Sequence, residues 1–172
     1  MDVGCGDGLL VQRLAAVCHH VTGVDSDRTA LSRARERTTD LPNVTLRHGD
    51  FLALDEGLFG FDVVTMVAVL HHLDPRVALS RGKELLRPGG ELLVVGLSVN
   101  RPLGDRLLSG MALPLVRAMS RLHHERREVG VVVAEPTLRL TEIRSVAMTI
   151  LPGVRIRRGL YYRYLLRWSK PS

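Results

Sequence analysis

The chain has 172 residues, 45% apolar and 24% charged, enough for one globular domain with a sizeable core. No apolar run reaches the length of a membrane span, and no basic leader followed by an apolar stretch opens the chain. Net charge is +6 but uneven, with 10 basic and 13 acidic residues over 1–100 (−3) against 14 and 5 over 101–172 (+9).

A basic half suits a nucleic acid, an anionic surface or an acidic substrate. Nearly all of the positive charge is arginine, so the expectation is an Arg-rich solvated surface, with nucleic acid as the lesser alternative. Cys5 and Cys18 provide neither a disulfide framework nor a paired metal spacing. A cytoplasmic protein that holds no metal is expected, with the oligomeric state left open.

In chain order, MDV supplies only three residues before the glycine-rich turn Gly4-Cys5-Gly6-Asp7-Gly8. The following LLVQRLAAVCHH places Leu9, Leu10, Leu14 and Val17 on one helical face. VTGVD (21–25) reads as a strand, and Ser26 and Asp27 as caps for the helix DRTALSRARER. LPN breaks the chain before the strand VTLRHGD.

FDVVTMVAVLHHL holds an eight-residue apolar strand, Val63 to Leu70, without alternation, as expected where helices cover both faces. Asp74-Pro75 caps the helix PRVALSRGKELL, Arg87-Pro88-Gly89-Gly90 stops it, and ELLVVGL is a further buried strand. Pro102, Pro114 and Pro136 punctuate basic amphipathic stretches. A last helix, TEIRSVAMTIL, precedes two β-rich runs around Gly159, expected to pair antiparallel. Alternating strands and helices over the first hundred residues define an α/β protein with a mostly parallel sheet.

Glycines before a helix let backbone approach a ligand closely, and the N–H groups at the helix start attract polar groups. A dinucleotide fingerprint would need glycine at position 9, where Leu9 stands. Asp25 ends the second strand, where a carboxylate can accept both hydroxyls of a ribose. Asp50 follows the third strand and can accept from an exocyclic amine, while Phe51 offers an apolar edge to a purine. Singly, each Asp would be read as a cap or turn residue; three strand ends carrying such groups point to a nucleoside-bearing cofactor.

Together these residues resemble the class I S-adenosylmethionine-dependent methyltransferases of small-molecule type. DVGCGDG is similar to the family's first motif, VTGVDSD to its acidic second-strand end and HGDF to its adenine-contacting turn. FDVVTMVAVLHHL and LLRPGGELLVV are similar to the fourth strand and the turn into the fifth. The resemblance implies a Rossmann-like sheet with helices on both faces and a C-terminal antiparallel strand. It implies S-adenosyl-L-methionine as cofactor and S-adenosyl-L-homocysteine as product.

By the same resemblance, Gly4, Cys5 and Gly6 pass beside the methionine and ribose, and Asp2 holds the methionine ammonium through water. Asp25 and Ser26 serve the ribose, Asp50 and Phe51 the adenine, and Val67 offers backbone to the methionine. His71 and His72 stand at the mouth of the site as candidate bases. Alignment of nucleophile, methyl and sulfur supplies most of such a rate, and a base matters only when the nucleophile must lose a proton.

Leu70-His71-His72-Leu73 replaces the Asn/Asp-Pro-Pro-aromatic signature of amino methylation, which favours a small-molecule acceptor with an O, C or N nucleophile. The expected division is one domain over 1–172: a cofactor-binding half over 1–100, a helical insertion over 101–135 covering the substrate, and a last helix with its hairpin over 136–172. Leu107, Leu108, Met111, Leu113, Leu115 and Met119 would line that cover. One alternative is an RNA methyltransferase that uses the basic half, with Tyr161, Tyr162, Tyr164 and Trp168 as stacking groups. Another is a non-catalytic, partner-binding remnant of the same fold. The first strand and the helix before it are largely missing, so the natural chain is expected to begin upstream, with apolar surface left uncovered at this start.

Overall fold

The computed structural model describes residues 1–54, 59–99, 138–159 and 163–172. Its strands are β1 (Asp2–Val3), β2 (Val21–Asp25), β3 (Val44–His48), β4 (Phe61–Val67), β5 (Leu86–Leu97), β6 (Arg155–Arg158) and β7 (Arg163–Ser169). The helices are α1 (Leu9–Ala15), α2 (Arg28–Arg37), α3 (Pro75–Leu85) and α4 (Leu140–Ile150), with short 3-10 turns at Phe51–Ala53 and Leu70–His72. The strands form one sheet in the order β3-β2-β1-β4-β5-β7-β6. β1 to β5 run parallel, and β7 is antiparallel to both β5 and β6. This is the Rossmann-like arrangement with a closing antiparallel pair.

Side chains alternate across each strand, so the register assigns the two faces. Val24, Val64, Met66, Leu92, Val94, Leu166 and Trp168 are buried with Leu79 and Leu85 of α3 and Ile143 and Ala147 of α4. On the other face Val21 and Cys5 pack with Val11 and Ala15 of α1 and Leu31 of α2. Asp27 caps α2, accepting from Thr29 and Ala30 N–H, and Asp74 caps α3 in the same way through Arg76 and Val77.

Several expectations change. In α1 the buried residues are Val11 and Ala15; Leu9 and Val17 face solvent, Val17 at 81% exposure. The helix starts at Leu9 and ends at Ala15, so Val17 never joins its periodic face. Ser26 plays no capping role, because Asp27 alone receives the N–H groups of α2. The apolar run Val63–Leu70 is not one strand. It leaves the sheet after Val67, where Ala68 adopts a left-handed φ of 54, and turns into the 3-10 segment.

Nor are both faces of β4 covered among the described residues, since Val63 and Val67 are exposed. Arg87-Pro88-Gly89-Gly90 does not separate α3 from its strand. α3 passes directly into β5, and the four residues form an irregularity where the β4–β5 register shifts. Gly90 fits there because a Cβ would come within 2.8 Å of the Phe61 carbonyl. β1 is only two residues long, yet the Met1 amino group donates to Val63 O (2.7 Å) and Thr65 N–H donates to Met1 O (2.9 Å), continuing the pairing with β4. The insertion expected over 101–135 and its apolar lining lie outside the described residues.

Candidate functional site

Strand order reverses at β1: the chain runs outward to β2 and β3, then returns to β4 on the other side of β1. Loops leaving β1 and β4 therefore diverge, and the crevice at the carboxyl ends of the strands is where open α/β sheets take ligands. The register sets those ends level: Val3 pairs with Val24 and Met66, and Asp25 with His48. Gly4, Asp25, His48 and Val67 thus share one edge, and Asp50 stands two residues beyond His48.

The turn after β1 is built for close approach. Gly4 has φ 66, and a Cβ there would overlap the Val69 side chain. Gly6 has φ 54, but a Cβ there would meet nothing within 4 Å. Its open side is a cradle that any side chain would fill and a flat ligand group can enter. Gly6 N–H donates to Asp25 Oδ2 (2.7 Å) and Asp27 N–H to Asp25 Oδ1 (2.8 Å). Each carboxylate oxygen has a second lone pair, so Asp25 can still accept two hydroxyls.

Asp2 lies on the α1–α2 face of the sheet, 2% exposed, and accepts from Thr65 Oγ1 at 2.6 Å. Burial raises its pKa to about 6, against the opposing pull of the Thr65 hydrogen bond and the Met1 ammonium; Asp25 pushes it further up. A buried carboxylate held short of full ionisation gains from any cation brought beside it. Burial likewise pushes the Cys5 thiol up to about 12, so at neutral pH Cys5 is a small apolar wall of the turn and not a nucleophile.

Asp50 is exposed and caps the 3-10 turn at Phe51–Ala53, accepting from Leu52 N–H (2.9 Å). Phe51 is 5% exposed and sits within the core cluster, so its ring forms the floor beneath that edge rather than a free stacking surface. The Ser26 carbonyl is in hydrogen-bond contact with His48 Nε2 at 3.1 Å, which ties the end of β2 to the end of β3.

At the end of β4, Ala68 N–H donates to Val95 O (2.7 Å) and the chain turns inward through its left-handed residue. Strained backbone of this kind is held only where its surroundings impose it. His71 and His72 follow, their ring centroids 4.0 Å apart. His71 is half-buried, and its Nδ1 is buried with no hydrogen-bond partner among the described residues. Burial, aided by the neighbouring His72, lowers the His71 pKa, so the ring is neutral at physiological pH.

The register brings Gly4, Asp25 and Val67 to one edge, with Cys5, Gly6, Ser26, Asp50, His71 and His72 in the segments that leave those strand ends; Asp2 is buried in the sheet beneath it and Phe51 in the core. Sequence reasoning missed Thr65, Val69 and the strained Ala68. Thr65 was visible as the lone hydroxyl inside an apolar run, whereas Val69 is found only through its contact with Gly4. Of the four aromatics expected to stack on RNA, the two among the described residues are buried: Tyr164 and Trp168 are 1% and 2% exposed, within the core cluster that includes α3 and α4 residues. Tyr161 and Tyr162 lie outside the described residues.

A methyltransferase domain family matches residues 1–92, from β1 into the first half of β5. The chain is 38% identical over 172 residues to an uncharacterized methyltransferase of Mycobacterium bovis, covering 99% of this chain and 86% of that protein. It is 34% identical over 105 residues to the ubiquinone biosynthesis O-methyltransferase of Aromatoleum aromaticum, 58% of this chain and 44% of that protein. The N-methyltransferase NodS from Bradyrhizobium japonicum, solved in complex with S-adenosyl-L-homocysteine, shares the fold at a TM-score of 0.64 and 20% identity. That match covers 99% of this chain and 76% of NodS. The chain belongs to this methyltransferase domain family and is a class I S-adenosylmethionine-dependent methyltransferase.

Proposed function

We propose that the chain transfers the methyl group of S-adenosylmethionine to a small-molecule O, C or N nucleophile by in-line displacement. One observation supports this reading: Gly6, open where a Cβ would stand, is tied through its N–H to the Asp25 carboxylate at the end of β2, with Asp2 in the strand before it and Asp50 just past the end of β3. Those are the acceptors that an ammonium, a ribose diol and an exocyclic amine require. When bound, the cofactor supplies a methyl on a sulfonium, already a good leaving group.

The protein then has to align and to exclude water. Asp2, steadied by Thr65, faces the ammonium; Asp25 takes the diol; Asp50 takes the amine over the Phe51 floor. Backbone after Val67 borders the methionine part. His71, through a ring atom other than its buried Nδ1, or the exposed His72 beside it, takes the proton that a hydroxyl nucleophile gives up.

One of the relatives is by its own name a ubiquinone biosynthesis O-methyltransferase, which supports a small-molecule acceptor. The burial of Tyr164 and Trp168 also leaves the RNA reading without those two stacking groups. Transfer of labelled methyl from S-adenosylmethionine, measured on small phenols, amines and activated carbon acids and in parallel on RNA, tests this. Label is expected in a small acceptor, with His71→Gln slowing transfer to a hydroxyl by about 10²-fold or more at unchanged cofactor affinity. Label appearing in RNA alone would overturn the small-molecule assignment.

A further inference from the structure

We propose that Arg37, the last residue of α2, is a positioning residue for the cofactor turn, an inference that rests on the cofactor reading above. Arg37 lies 30 residues from the turn it touches, and its guanidinium grips Asp7 twice. Nε donates to the Asp7 backbone carbonyl at 2.9 Å and the terminal Nη2 donates to Asp7 Oδ2 at 2.7 Å. Asp7 Oδ1 meanwhile accepts from Leu9 N–H at 3.3 Å, in the first residue of α1. One planar fork therefore fixes both the peptide plane and the side chain of the residue between Gly6 and Gly8. A lysine, a point donor without the fork, could not hold both groups in that geometry.

The neighbouring contacts show why this matters. Gly6 and Gly8 both have left-handed φ, and glycines wander between such states freely unless held. Gly8 is seated against Ala34 of α2, where a Cβ would come within 2.9 Å of the Ala34 Cβ. Ala34 and Arg37 are one helical turn apart, so α2 meets two consecutive residues of the turn. Asp25, just before α2, holds the Gly6 N–H. The segment from Asp25 to Arg37 thus grips Gly6, Asp7 and Gly8, with the Asp25 carboxylate at one end and the Arg37 guanidinium at the other.

An ordinary half-exposed ion pair adds little to a fold. This one closes on the backbone of a loop whose conformation decides whether a ligand fits, so its effect should appear in binding before it appears in folding.

Binding of S-adenosylhomocysteine to the full chain by calorimetry tests the assignment, with thermal melts of each unliganded variant. Arg37→Ala is expected to raise Kd about three- to tenfold, the scale of an exposed charge-assisted pair. Arg37→Lys should recover part of that loss. If Arg37→Ala does not fold, Arg37→Gln replaces it with the same expectation. An unchanged Kd, with or without a lower melting temperature, would overturn the proposal and mark a merely structural pair. Asp25→Ala measured alongside separates the two claims. Lost affinity there with none lost at Arg37 leaves the cofactor reading standing, and unchanged affinity in both removes that reading too.

Discussion

Asp2 sets a conflict within one side chain. The fold raises its pKa from 3.8 to about 6, so the ionised form is disfavoured in the free protein. At about 1.4 kcal/mol per pKa unit, that is on the order of 3 kcal/mol against folding at neutral pH. The sign follows from a raised acid: the folded state binds the proton more tightly, so stability falls as pH rises through 4 to 6. Cofactor binding through an ionised Asp2 runs the other way and is gained over the upper part of that window. Affinity for S-adenosylmethionine should therefore fall as pH drops below about 6, and Asp2→Asn should flatten that dependence while lowering affinity at pH 7.5. Calorimetry at several pH values checks both. The carboxylates themselves were legible in the sequence because strand-end Asp residues carry a chemical meaning. Thr65, which steadies Asp2, was visible as a lone hydroxyl, but its role was not, because a hydroxyl in an apolar run is ordinarily a packing residue.

Among the elements, β2, β3, α2 and α3 follow their sequence signals closely, since each has a local cause: an acidic cap, a proline or a break at LPN. α1 and β4 do not. A helix face read over twelve residues cannot be right when the helix has seven, and a continuous apolar run does not reveal where a strand leaves its sheet. That break at Ala68 depends on Val95 of the neighbouring strand, a contact distant in sequence. The β5–β7 pair shows the same dependence on tertiary partners. Gly96 lies directly opposite Tyr164, whose ring occupies the space a Cβ would need, and burial pushes the Tyr164 hydroxyl up to about 12. Gly96→Ala should cost about 1–3 kcal/mol of stability. The same change in a Tyr164→Ala background should cost much less, because the obstruction is gone. Denaturant melts of the four proteins measure that coupling.

At the scale of the molecule, the order of the strands does what no single motif can. It turns motifs scattered over residues 2–72 into one edge, with the reversal at β1 opening the crevice between the glycine turn and the histidines. The sheet was legible from the alternation of strands and helices, and the family from the resemblance of its motifs, whose glycines and acids stand at strand ends. Which faces would be covered was not, since burial depends on every neighbour at once; the exposed Val63 and Val67 of β4 show this among the described residues. The central claim is that this edge binds S-adenosylmethionine through Asp25. Calorimetry of the full chain with S-adenosylhomocysteine, comparing the wild-type protein with a folded Asp25→Ala variant, tests it most directly. Losing hydrogen bonds to a charged group predicts a Kd raised by about tenfold to a hundredfold. Equal affinity in the two proteins would contradict the account.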